Sequence, residues 1–230
     1  MPKRILYLGL DPTHYQGQGE ITHWPIIQIF PRPLSEPTVY QALRHFEHYS
    51  HILVTSKSTV AILHEYLPQL GIHLPIWANK TTLAIGQVTA KSLQACGITP
   101  AQIAQEETAE GMIQMLKQLP LELAHVFWPH SAQARPLIKN FLVTHLIRHT
   151  TCILYEPRLQ ISEILPDLES FDEIVFTSPS TVEAFLQIFK TMPFHIQAIA
   201  IGPITAHALK EKIGIACKKV QASEHLHLPN

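Results

Sequence analysis

Two groups of hydroxyl-bearing residues occur twice in this chain, in the same order. Val54-Thr55-Ser56-Lys57-Ser58-Thr59-Val60 returns as Phe176-Thr177-Ser178-Pro179-Ser180-Thr181-Val182. Ala84-Ile85-Gly86-Gln87-Val88-Thr89-Ala90 returns as Ala200-Ile201-Gly202-Pro203-Ile204-Thr205-Ala206. In each copy an apolar run ends in small or hydroxyl residues and an amphipathic stretch begins. That pattern marks a strand handing over to a helix. The first turn of such a helix carries unpaired N–H groups and partial positive charge, so the chemistry on offer is capture of anions. Thr55, Ser56, Ser178 and Ser180 stand at the first pair of turns, with Ser58 and Ser180 expected to cap the helices. Gly86, Thr89, Gly202, Pro203, Ile204 and Thr205 form the second pair. There the glycines are expected to let the backbone turn and approach a ligand, and the threonine hydroxyls to face the same opening. One such turn alone reads as an ordinary helix cap. A matched duplicate points to a ligand cleft between two similar halves, and only a ligand with many anionic groups gains much from it.

The elements that must hold these turns follow from the apolar pattern. Strands are expected over residues 5–10, 26–29, 52–55, 83–85, 126–128, 152–155, 174–176, 198–201 and 217–220. Helices are expected over residues 37–47, 59–66, 88–95, 109–118, 133–141, 181–189 and 204–212. Alternation of this kind predicts an α/β fold of parallel sheets flanked by helices. Pro31, Pro33 and Pro37 crowd one joint, and Pro157 marks a second. One motif pair lies between the joints and the other after them. The expected organisation is therefore a discontinuous domain of residues 1–32 and 158–230, with a second domain, 35–152, inserted into it. Residues 31–36 and 152–159 would connect them.

Composition narrows the function classes. The chain has 230 residues, a formal net charge of −1 and a pI near 6.9, so no global basic field invites nucleic acid or an anionic membrane. Cys96, Cys152 and Cys217 are far apart and form no CxxC, which suits a reducing compartment. The apolar run after Met1-Pro2-Lys3-Arg4 is too short for a signal-peptide core, and no stretch approaches a membrane span. A soluble cytoplasmic protein is expected. Among fifteen histidines, His145 and His149 have i,i+4 spacing and His225 and His227 are two apart. Neither pair has a nearby third ligand, so no metal site is expected.

The phrases Ile52-Leu53-Val54-Thr55-Ser56, Ala84 to Ala90, Leu154-Tyr155, Val175-Phe176-Thr177-Ser178-Pro179-Ser180 and Ala200 to Ala206 together resemble uroporphyrinogen-III synthase. Their order and spacing agree from about residue 25 to about residue 220. The most specific pieces are the Ile-Gly-Pro-x-Thr-Ala phrase with trailing Gly214, and the tyrosine before the second half. The resemblance implies two α/β domains joined by a two-stranded connector, with the active site in the inter-domain cleft. It implies a linear tetrapyrrole substrate, hydroxymethylbilane, which loses water from ring A, closes, and inverts ring D. No metal or organic cofactor is implied. A monomer is, in transient contact with the preceding pathway enzyme. Tyr155 matches the tyrosine thought to help the hydroxyl leave. Thr89, Thr205, Ser56 and Ser178 carry over as contacts to substrate carboxylates, and Arg135 matches a position that is often basic and would pair with a propionate.

Two departures from the family pattern bear on activity. Residues 11–19 look too short for the usual first helix, and Pro129-His130-Ser131 stands where Arg-Gly is common. His130 or Lys57 would then stand in for the missing charge. Two other readings compete. A phosphosugar-binding or isomerase domain of the SIS type explains the Thr-Ser turns but neither the Ile-Gly phrases nor Tyr155. A two-lobed binder of small anions explains the symmetry without catalysis.

Overall fold

The chain divides into two compact units, Met1–Gln28 with Arg158–Asn230, and Ile29–Pro157. The computed structural model describes residues 1–13, 15–160, 162–214 and 218–219. In chain order the strands are β1 (Arg4–Tyr7), β2 (Glu20–His23), β3 (Ile27–Pro31), β4 (His51–Val54), β5 (Thr81–Ala84), β6 (Gln102–Ile103), β7 (Val126–Ser131), β8 (His149–Leu159), β9 (Glu173–Phe176), β10 (Gln197–Ala200) and β11 (Lys218–Lys219). The helices are α1 (Pro37–Arg44), α2 (Lys57–Gln69), α3 (Leu74–Ala78), α4 (Gln87–Ala95), α5 (Ala109–Leu116), α6 (Leu137–Thr144), α7 (Pro179–Phe189) and α8 (Pro203–Ile213). Cys217, Val220, His225 and His227 lie outside the described residues.

The apolar runs became central strands because both faces of each sheet are covered. In β4 and β7, Ile52, Val54 and Phe127 join one core, while Leu53, Val126 and Trp128 join the core on the opposite face. Helices α2 and α4 supply Val60, Leu63, Leu67, Ala90 and Leu93 to the first; α5 and α6 supply Met112, Met115, Ile138 and Leu142 to the second. The other unit repeats the arrangement, with Leu6, Ile174 and Phe176 packed against Val182, Phe185 and Leu209. Truncating one such residue to alanine typically costs about 2–5 kcal/mol.

The two sheets share one spatial order built from different chain order. One reads β11-β10-β9-β1-β2; the other, beyond its edge strand β3, reads β6-β5-β4-β7-β8. The pairings along both series are parallel. The repeated motifs match β9 to β4 and β10 to β5. Strands β1 and β2, which open the chain, therefore occupy the places that β7 and β8 fill after β6. The units are circular permutations of one another. Each has a switch point, between β4 and β7 and between β9 and β1, where chain connections leave in opposite directions. Ligands bind α/β sheets outside the carboxyl ends of strands at such points.

Some elements differ from expectation. The helix expected over residues 133–141 begins at Leu137, after N-cap Pro136. Proline disfavours helical backbone at the residue before it, which leaves Arg135 outside the helix. β2 is exposed at every position and lacks the apolar run by which buried strands are read. Among the described residues between β1 and β2 there is no helix, as the short 11–19 stretch suggested; Tyr15 packs instead against the core formed by Ile5, Tyr7, Val175 and Ile199.

Candidate active site

In the unit Ile29–Pro157 the switch point is lined by the residues after β4, the end of β7 and the middle of β8. Ser56 is the N-cap of α2: its backbone is extended (φ −165°, ψ 155°) and its Oγ accepts from the Thr59 N–H at 3.0 Å. Thr55 Oγ1 accepts from the Trp128 indole at 3.4 Å. Tyr155 sits on β8 opposite Ser131, where a register shift between His130 and Ser131 irregularly spaces β7. Its ring is buried at 7% exposure, and its hydroxyl lies 2.8 Å from Ser56 Oγ. Burial pushes the phenol's pKa up; hydrogen bonds with Ser56, Thr59 and Ser131 pull it part of the way back. Tyr155 and Ser56, 99 residues apart, are thus brought together. The tyrosine is not a strand-end ring with a surface hydroxyl.

The second turn of this unit differs from expectation. Gly86 caps α4 in extended backbone, φ −173°, so it is not required for a left-handed turn. A Cβ there would overlap the Glu107 carboxyl group, and the Gln87 N–H donates to Glu107 Oε1 at 2.7 Å. The glycine makes room for a carboxylate of the chain itself, seated where a ligand carboxylate was expected. Nothing in local spacing announces Glu107, because the contact spans twenty residues. Arg135 makes a bidentate pair with Glu110 at 2.7 and 2.6 Å, which holds the Glu110 carboxyl below its ordinary value. Its charge is matched within the unit. His130 stacks on Trp128 with ring centroids 4.2 Å apart, and its Nδ1 lies 2.8 Å from the Ser131 carbonyl. Burial pushes the imidazole's pKa below the ordinary histidine value, and the Ser131 carbonyl pulls it part of the way back. Lys57 is the first residue of α2.

In the other unit Ser178 caps α7 with the same backbone (φ −161°, ψ 163°), and Thr181 completes a capping box. Ser180 Oγ lies 2.7 Å from Ser178 Oγ. The caps are therefore Ser56 and Ser178, two residues earlier than the expected Ser58 and Ser180, because the helices start at Lys57 and Pro179. Gly202 precedes α8 with φ −143° and ψ 166°, and no side chain caps this helix. Among the described residues, its chain neighbours aside, a Cβ at Gly202 would meet no heavy atom within 4 Å. Pro203 at the first position has no N–H, so Ile204 and Thr205 carry the first backbone donors. Thr89 and Thr205 are buried, at 5% and 3% exposure. The first-turn backbone N–H groups of α4 and α8 have no side-chain cap from Gly86 or Gly202.

Comparison with known proteins adds the decisive observation. The family model described as uroporphyrinogen-III synthase HemD matches residues 14–225. The chain belongs to the uroporphyrinogen-III synthase family. Among curated relatives, the porphyrin biosynthesis protein HemD of Ruminiclostridium josui is 28% identical over 222 residues, 91% of this chain and 41% of that protein. The chain thus spans about two fifths of the length of that relative. Two solved structures share the fold. A mutant uroporphyrinogen III synthase from the extremely thermophilic bacterium Thermus thermophilus is 21% identical with a TM-score of 0.65, covering 97% of this chain and 94% of that one. The uroporphyrinogen-III synthetase of Helicobacter pylori is also 21% identical with a TM-score of 0.65, covering 94% and 92%. In this family member the place after Trp128 where a basic residue was expected holds Pro129 and His130, whose pKa burial pushes down.

Among the described residues no group of three potential metal ligands comes together, and no helix is long and apolar enough to cross a membrane.

Proposed function

We propose that this chain catalyses the dehydrating cyclisation of hydroxymethylbilane with inversion of ring D, giving uroporphyrinogen III in tetrapyrrole (haem) biosynthesis. The observation that carries the reading is the family match over residues 14–225. The site chemistry agrees with it. The substrate is lined with carboxylates, and both units present helix N-termini at the carboxyl ends of their strands. Ring A loses its hydroxyl to leave a cationic azafulvene, which ring D attacks through its substituted carbon; the bond from that carbon to the ring C methylene then breaks, and the ring C azafulvene so formed closes on the free α-carbon of ring D, which loses its proton. Because the free bilane closes spontaneously to the type I isomer, the enzyme's task is to hold ring D in the inverting geometry. Tyr155 is the acid of this reading: its phenol proton passes to the leaving oxygen, the C–O bond breaks, and water departs. The proton that ring D sheds as aromaticity returns restores the phenol. A neutral, buried phenol suits an acid that must remain protonated at neutral pH. Thr55, Ser56, Gly86, Thr89, Ser178, Ser180, Gly202, Pro203, Ile204 and Thr205 belong to the carboxylate-binding turns. Arg135 would meet a propionate beside Glu110, which already takes two of its guanidinium N–H donors. The enzyme acts as a monomer in the cytoplasm, in transient contact with the enzyme that supplies its substrate.

The test is a coupled assay in which hydroxymethylbilane is generated in place and the isomers are separated chromatographically. Type III product without added metal is expected, and Tyr155→Phe is expected to slow closure by roughly 10²-fold with the fold intact. Type I product alone would overturn the reading. Neither the phosphosugar-binding nor the passive-binder alternative accounts for the family match.

A further inference from the structure

The repeated Thr-Ser-x-Ser-Thr sequence folds into two different hydroxyl arrangements. In α7, the Thr181 hydroxyl donates back to the Ser178 carbonyl at 2.7 Å and accepts from the backbone N–H groups of Thr177 and Ser178, both at 3.2 Å. Ser178 Oγ turns to Ser180. In α2, the Thr59 hydroxyl instead lies 3.0 Å from Ser56 Oγ, and Ser56 Oγ lies 2.8 Å from the Tyr155 hydroxyl. Sequence alone would make the twins alike; a buried phenol beside one of them is the difference.

The hydrogen-bond inventory restricts what this cluster can do. A serine hydroxyl has one proton and two lone pairs. At Ser56 one lone pair is committed to the Thr59 N–H, which can only donate. One lone pair and one proton remain for Tyr155 and Thr59 Oγ1. Either Tyr155 donates to Ser56 and Ser56 donates to Thr59, or Thr59 donates to Ser56 and Ser56 donates to Tyr155. Only in the second order is the phenol's own proton released to point at another oxygen. In that order the phenol oxygen already receives a hydrogen bond that strengthens as it gives its proton away. Ser131 adds to the same oxygen from the irregular end of β7, where Ala132 N–H also fastens the backbone to the Tyr155 carbonyl at 2.8 Å.

We propose that Ser56 is a positioning residue for the reaction: by capping α2 and contacting the phenol with one oxygen, it sets the direction of the Tyr155 proton, with Thr59 and Ser131 completing the cluster. This rests on Tyr155 being the acid, and it moves Ser56 from a substrate contact to a partner of the tyrosine. No atom is gained or lost in the cluster. The proton transferred to the leaving oxygen is the phenol's own, and the Ser56 and Thr59 protons only reorient.

The test compares Ser56→Ala, Ser56→Thr and Ser131→Ala with Thr108→Ala in the purified full chain. Thr108 caps α5 through the Gly111 N–H at 3.1 Å, with no hydrogen bond to a tyrosine among the described residues, so its variant measures cap loss. Ser56→Ala is expected to lower kcat by roughly 10-fold to 100-fold, the loss of one hydrogen bond to a group becoming charged, with little change in KM. It should also move the Tyr155 titration further up in ultraviolet difference spectra referenced to Tyr155→Phe. Ser131→Ala should do both more weakly, Ser56→Thr should restore both, and Thr108→Ala should do neither. A Ser56→Ala enzyme whose kcat and tyrosine titration match wild type would overturn the positioning role while leaving the acid in place. Full activity in Tyr155→Phe would overturn the acid and its positioner together.

Discussion

Gly202→Ser offers a quantitative test of where substrate carboxylates bind. Ser56, Ser178 and Gly202 share one backbone conformation, with φ between −165° and −143° and ψ between 155° and 166°. Serine therefore has at position 202 the geometry in which it already caps two helices of this chain. Among the described residues, its chain neighbours aside, no heavy atom stands within 4 Å of the added Cβ. The cap is worth a few tenths of a kcal/mol over glycine, and loss of glycine's freedom in the unfolded chain contributes about 0.4–1 kcal/mol. Together they predict a stabilisation of about 1 kcal/mol, or a rise in Tm of about 2–4 °C for a chain of this size. The new hydroxyl accepts from the same first-turn N–H groups that a carboxylate would use. A carboxylate at a helix N-terminus contributes about 0.3–1 kcal/mol when exposed and up to ~2 when partly buried, so KM should rise roughly 2-fold to 30-fold. Thermal melts and the coupled isomer assay read the two effects separately. A variant that is more stable and binds the bilane as before would refute the assignment of the α8 turn to substrate.

Two further outcomes follow from the unexpected residues. Glu107→Gln keeps an acceptor for the Gln87 N–H but removes the charge from the α4 turn. It should lower stability by about 0.3–1 kcal/mol at low salt and less at high salt, and should lower KM if substrate carboxylates compete for that turn. Melting that is unchanged at low salt would remove Glu107 from the cap. His130 has a folded-state pKa depressed below the ordinary 6.5, so the unfolded chain binds the proton more readily. Its contribution is complete above pH 6.5 and is lost as pH falls toward the folded value. His130→Gln should therefore flatten part of the stability loss as pH falls below about 6.5, measured by denaturant titration. Burial lowers His51 and His125 in the same direction, so some decline should persist. An unaltered pH slope would show that His130 protonates equally in both states.

The α/β class, the duplicated turns and the family were legible in the sequence because each rests on local pattern. Strands buried on both faces must be apolar throughout, as Ile52, Leu53 and Val54 are, and a helix that follows needs a hydroxyl near its first N–H groups. Even the identity of the capping residue was beyond that pattern: Ser56 and Ser58 are equally good caps, and only the point where α2 begins chooses between them. The permuted strand order was likewise hidden, since periodicity says that a run is a strand but not which strand lies beside it. The partners of the candidate site were decided by tertiary structure alone. Tyr155 meets Ser56 across 99 residues, and Arg135 meets Glu110 across 25. Glu107 reaches the α4 turn in the space left by an absent Cβ at Gly86. A chain can spell out hydroxyls, carboxylates and a phenol, but hydrogen bonds depend on distances of a few tenths of an ångström, and those are set only when the sheets bring remote segments side by side.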